Sequence, residues 1–202
     1  MVCGPSIPAL GFLQQAVLAH EQGKLELSLH FLKHARESDP VLPLPVFLEG
    51  IYLRHGWGCR PDHPESYRCL HIALMLSIDA LKATIKFGMG ANAPPGLPTP
   101  SGARSMVGLV LYEMSASHRF GWGVRKDRGL ANQLMELAAN LGDVDACVDV
   151  GTRSLKHNEK RKAARYLRWA SFGGWKDFGT GWIWKVCFLF FFPCTGSNNT
   201  HF

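Results

Sequence analysis

Gly56-Trp57-Gly58-Cys59-Arg60-Pro61-Asp62 is written a second time as Gly121-Trp122-Gly123-Val124-Arg125-Lys126-Asp127. Between the copies only the fourth and sixth positions change their chemistry. Helical runs stand on both sides of each copy. Ala103 and Gly108 lie ahead of the second copy, and Ala131, Leu134, Ala138, Ala139 and Gly142 lie behind it. A glycine-rich turn between two helices, repeated along a chain, predicts an all-α solenoid of helix-turn-helix units. Such units bury an apolar face only by stacking on their neighbours, so the expected product is an extended surface and not a catalytic cleft.

Outward from the two turns, helical periodicity runs over 9–22, 25–37, 45–55, 64–86, 103–120, 127–141, 144–156 and 159–172. That is about four helix pairs. Gly23 separates the first two helices, Asp39-Pro40 ends the first pair, and Gly173-Gly174 closes the last. Residues 88–102 carry Gly88, Gly90, Pro94, Pro95, Gly96, Pro98, Pro100 and Gly102, which predicts an irregular loop. The unit opened by Ala146 and Gly151 and closed by Ala163, Tyr166, Ala170 and Gly174 has no Gly-x-Gly turn. Gly50 precedes its turn by six residues and Gly108 by thirteen. The difference of seven is about two helical turns, which keeps both glycines on the same helix face.

The small residues at these fixed offsets, with Asp62 and Asp127 after the turns, resemble Sel1-like repeats, the tetratricopeptide-related helix pairs. The resemblance is carried by Gly50, Gly56, Gly58, Asp62 and Ala73 in one unit. In the next it is carried by Ala103, Gly108, Gly121, Gly123, Asp127, Ala131, Ala138, Ala139 and Gly142. The first pair fits it loosely through Ser28, Phe31 and Ala35. The phrase Leu53-Arg54-His55-Gly56-Trp57-Gly58-Cys59 is similar to a fungal group of Sel1-repeat proteins that acts in cell-cycle control. The resemblance implies a right-handed superhelix over 1–185. It also implies a non-catalytic scaffold or adaptor in cell-cycle or polarity signalling, with a protein partner such as a kinase. Its alternative is a regulatory activator of a membrane enzyme such as chitin synthase, because activators of that kind carry similar repeats.

Composition sets the boundaries of these expectations. The chain has 202 residues, of which 47% are hydrophobic, and a net charge of +6, too mild for a nucleic-acid binder without interleaved aromatics on an exposed face. Basic residues gather late, from Arg153 and Lys156 to Arg168. Arg161, Arg165 and Arg168 share one stripe opposite Ala163, Leu167 and Ala170, which reads either as a solvated face or as a docking stripe for an acidic peptide. Trp57 and Trp122, fixed in their turns, are expected to plug the gap between successive pairs, with a binding hot spot as the alternative.

The six cysteines show no repeat register and read as reduced thiols, with no cofactor and no metal implied. His55, Cys59, Cys69 and His71 could be forced into a four-ligand set, but Val124 replaces Cys59 in the sister turn. No nucleophile elbow, phosphate loop or metalloprotease motif is present, so no enzyme is expected. With no secretory signal and no apolar run long enough to span a membrane, a cytoplasmic location is expected. Residues 175–185 read as the opening of a further unit that leaves an uncapped edge, prone to self-association. Residues 186–202, with Phe188, Phe190, Phe191 and Phe192 and no periodicity, read as a translated intron.

Overall fold

The structure is a computed structural model that describes residues 7–87 and 100–176. Eight α-helices and no strand occur among the described residues. They are α1 (Ile7–Glu21), α2 (Leu25–Ser38), α3 (Pro43–His55), α4 (His63–Phe87), α5 (Pro100–Phe120), α6 (Arg128–Asn140), α7 (Val144–Lys156) and α8 (Lys160–Phe172). Each helix packs on its neighbours in the chain, most extensively within the pairs α1–α2, α3–α4, α5–α6 and α7–α8. The chain is thus a row of four helix pairs, as the repeat reading expected.

Helix starts follow side-chain chemistry. Asp127 and Asp143 cap α6 and α7 by accepting from the backbone N–H groups of Leu130 and Ala146. Pro43 opens α3, where its missing N–H costs nothing. One boundary differs from the sequence reading. The helix expected from 103 begins at Pro100, because a proline and two small residues can form a first turn as readily as a loop. Residues 88–99, the heart of the expected loop, lie outside the described residues, as do 177–185 of the expected further unit and the tail 186–202 with its intron reading.

Three connections share one short turn. Gly23, Gly142 and Asn158 each donate to a carbonyl three residues back, and the following N–H reaches five back. This is the Schellman arrangement, with the central residue left-handed. Gly174 repeats it after α8. Asn158, at φ 60°, therefore makes the turn between the two helices of the last pair, which lacks the Gly-x-Gly turn. Asparagine tolerates that region better than other side chains because its amide is short and polar.

The core runs along the row as successive clusters. Leu13, Leu29, Leu32 and Tyr52 join the first pair to α3. Val46, Phe47, Leu70, Val110 and Met114 join the second pair to α5. Val107, Met135, Val150 and Tyr166 join the third pair to the fourth. The alanines quoted above lie inside the row. Ala73, Ala138, Ala139, Ala146, Ala163 and Ala170 are fully buried, and Ala103 and Ala131 nearly so.

Candidate partner-binding surface

The two written-out turns are one structure. Gly56 donates to Tyr52 and Trp57 to the same carbonyl; Gly121 and Trp122 both donate to Ser117. The Asp62 N–H returns to Leu53 and the Asp127 N–H to His118. Each aspartate then accepts from the N–H three residues on, both at 2.9 Å. The second glycine of each turn makes the contact between pairs. A Cβ on Gly58 would lie 2.5 Å from the Leu25–Glu26 backbone, where α2 of the preceding pair begins. A Cβ on Gly123 would lie 2.0 Å from the His63 carbonyl oxygen, where α4 begins. Each turn therefore rests its backbone directly on the helix start behind it. Glycine is needed twice over at these positions, for its φ of 67° or 71° and for the space.

The tryptophans complete each junction. Trp57 meets His20 of α1 and stands edge-on to Tyr52, and Trp122 stacks on His63 with the Arg54 guanidinium 5.0 Å from its ring centre. Both thus bridge successive pairs. Polar ties differ from junction to junction. At the first, the Tyr52 hydroxyl is 2.6 Å from both His20 Nδ1 and Ser28 Oγ, and Arg36 pairs with Glu49 at 2.7 Å. At the second, buried Arg54 pairs with the Glu113 carboxylate and donates to Ser117 Oγ at 3.1 Å, while the Tyr67 hydroxyl and His118 Nε2 are 3.0 Å apart. At the third, Tyr166 donates to Asn140 at 3.0 Å and Lys162 to Glu136 at 2.6 Å.

Gly50 and Gly108 both turn toward the second helix of their own pair, but at different heights. Gly50 meets Ser66 and Cys69 near the start of α4, and Gly108 meets Ala138 and Leu141 at the end of α6. Gly151 packs against Leu167 of α8.

A hollow of about 440 Å³ opens between the third and fourth pairs. Arg119 and Phe120 from the end of α5, Lys126 from the turn, Arg128 from α6, and Arg153 and Lys156 from α7 line it. Asp149 is the one carboxylate among its lining residues. Arg119 lies 3.5 Å from Asp149, and Arg153 bonds Asn132 and lies 3.6 Å from Glu136. Lys126, Arg128 and Lys156 are exposed and have no ion-pair partner among the described residues. This concentration of charge has only a scattered signal in the sequence. Arg153 and Lys156 belong to the late basic run, and Lys126 stands where the sister turn has Pro61. Only the fold brings them to one place.

On α8, Arg161 and Arg165 are exposed and Arg168 half-buried, opposite the buried Ala163, Leu167 and Ala170. Arg165 is held on aromatic faces, 4.8 Å from the Tyr166 ring centre and 5.5 Å from that of Trp169. Arg161 and Arg168 also have interactions of their own. Cys59, Cys69 and Cys147 are free thiols. Burial pushes Cys69 and Cys147 up to about 11, so both stay protonated and act as apolar packing. Among the described residues no group of three His, Cys, Asp or Glu side chains is placed to hold a metal, and no helix is long and apolar enough to cross a membrane.

No family model matches the chain. It is 32% identical over 138 residues to the mitosis inhibitor nif1 of Schizosaccharomyces pombe, a match covering 64% of this chain and 20% of that protein. It is 27% identical over 187 residues to protein DSF2 of Saccharomyces cerevisiae, covering 87% and 24%. The chain therefore spans a quarter or less of these relatives. Among solved structures, a Sel1 repeat protein from Oxalobacter formigenes aligns at 18% identity and TM-score 0.38, over 82% of this chain and 73% of that one. The protective antigen c5321 of uropathogenic Escherichia coli, described as displaying an SLR fold, aligns at 18% identity and TM-score 0.38, over 83% and 38%. The helix pairs of this chain resemble Sel1-like repeats, and in sequence the chain is similar to a fungal mitosis inhibitor over 64% of its own length.

Proposed function

We propose that this chain is a non-catalytic scaffold of fungal cell-cycle control, working in the cytoplasm and docking a signalling protein such as a protein kinase on its helix-pair row. The observation that carries the reading is the mechanical one. Each junction is locked at backbone level, through Gly58 or Gly123, or by polar side-chain ties, so side chains from separate pairs are held in a fixed relation. A surface assembled from several rigidly joined pairs suits an extended partner, because little ordering remains to be done on binding. Similarity to a protein named a mitosis inhibitor supports the cell-cycle setting. The α8 residues Arg161, Arg165 and Arg168 offer one docking stripe. Trp169 and Phe172 at the end of α8 are exposed and offer an edge for self-association.

The test is sedimentation of the purified chain with purified mitotic protein kinases. A discrete complex of defined stoichiometry is expected. A folded chain that sediments alone with every kinase overturns the kinase assignment. Turnover of a substrate by the chain itself overturns the non-catalytic reading.

A further inference from the structure

We propose that the hollow between α5, the Gly121–Asp127 turn and α7 binds an anionic peptide segment of a partner protein. The proposal rests on the protein-docking reading above and names the chemistry of one site within it. The peptide supplies a phosphorylated side chain or neighbouring carboxylates to Lys126, Arg128 and Lys156, and sets an apolar side chain on Phe120.

Charge is the first argument. Five cations and one carboxylate line the hollow. The two arginines beside carboxylates, Arg119 with Asp149 and Arg153 with Glu136, are thereby held in place as its walls. The remaining three cations line the same space of about 440 Å³ and have no ion-pair partner among the described residues. An anion brought among them makes charge-assisted hydrogen bonds. Phe120 is the second argument. It is 55% exposed and stacked on Trp122, which is itself fixed by His63 and Arg54. A large aromatic surface held rigid beside cations suits a peptide that carries an acidic and an apolar residue close together.

The third argument is the sister turn. Pro61 occupies the place of Lys126 in a turn with the same backbone bonds. The lysine is therefore not required by the turn. The α8 stripe is the weaker site for the same anion, because Arg165 already lies on Tyr166 and Trp169.

The experiment measures binding of the full chain to labelled synthetic peptides by fluorescence anisotropy. One carries phosphoserine followed by phenylalanine, one carries a glutamate pair followed by phenylalanine, and one is the neutral serine version. Binding of either anionic peptide, weakened by added salt and about tenfold or more by the triple change Lys126→Glu, Arg128→Glu, Lys156→Glu, is the expected result. Retention of affinity in Arg60→Glu, at an exposed arginine of the sister turn, is expected alongside it. All four substituted side chains are exposed, and circular dichroism checks that each variant is folded. Equal binding of the neutral peptide, or affinity untouched by the triple change, overturns the site. So does tighter binding of a short RNA of equal charge, which would assign the hollow to nucleic acid. If the site fails while the chain still sediments with a kinase, the scaffold reading stands and the partner docks elsewhere.

Discussion

The turn at Gly56–Asp62 and the turn at Gly121–Asp127 share every backbone bond described above and differ in what they display. The first presents Cys59 and Pro61, and the second Val124 and Lys126. The first rests on the start of α2 and the second on the start of α4. What repeats is therefore the backbone lock between pairs. What varies is the side chains at the fourth and sixth positions, and in the second turn the sixth, Lys126, lines a basic hollow. The positions kept between copies belong to the fold, and the positions changed between copies are where function is to be sought.

The largest way to break the equivalence is at the second glycine. Gly123→Ala places a methyl within 2.0 Å of a backbone carbonyl, and Gly58→Ala within 2.5 Å of backbone atoms. Neither obstacle is the end of a flexible side chain, so a whole pair must shift. We expect each to cost about 3 kcal/mol or more, visible as a large fall in thermal midpoint. Equal tolerance of alanine at Gly123 and at exposed Gly129 would show that the pairs do not touch in this way.

Next comes Arg54, which belongs to the second junction alone. Arg54→Ala strands Glu113 and removes the cation from beneath Trp122. Glu113 remains 23% exposed, so water recovers part of the loss. We expect about 2–3 kcal/mol by denaturant unfolding. Arg54→Met should cost less than alanine, because it refills the space without leaving a void. Equal losses for methionine and alanine would mean that the charge and not the packing secures this junction.

Repetition made the fold legible. Two copies of one phrase align the units, and the same backbone bonds recur at both. The ties at each junction were not legible, because Tyr52 with His20, Arg54 with Glu113 and Tyr166 with Asn140 have no common spacing. Each is a private solution to burying polar groups between otherwise similar pairs. The candidate site was legible only as scattered charge. Arg119, Lys126, Arg128 and Lys156 come from three helices and a turn, and a period-based reading assigns such residues to separate solvated faces. Pro100 illustrates a smaller loss, since the same residues that predict a loop can also begin a helix.

The first glycines sharpen the comparison at a smaller scale. Both are left-handed, at φ 71° for Gly56 and 82° for Gly121. A Cβ on Gly56 would also lie 2.7 Å from the Pro61 ring, whereas on Gly121 the nearest atom is Lys126 Cβ at 3.6 Å. Gly121→Ala should thus cost about 1 kcal/mol from backbone strain alone. Gly56→Ala should cost about 1 kcal/mol more, because the proline ring must move aside. Equal thermal shifts for the two would mean that the ring gives way freely.

The smallest effect expected on stability comes from writing the first turn into the second with Lys126→Pro. The two turns share their hydrogen bonds, and no backbone bond from the Lys126 N–H appears among those of the turn. The ring therefore removes no donor that the turn uses. Proline restricts the unfolded chain, which stabilises a compatible site by about 0.4–1 kcal/mol. Against this, its preference for an extended preceding residue acts on Arg125, where the sister turn accepts the same constraint at Arg60. The thermal midpoint should stay unchanged or rise slightly. The same variant takes one of three unpartnered cations out of the hollow, so its affinity for an anionic peptide should fall while its stability does not. A midpoint that drops by several degrees would show that the turns differ in backbone after all, and that Lys126 is held in place by the fold rather than free to serve a partner.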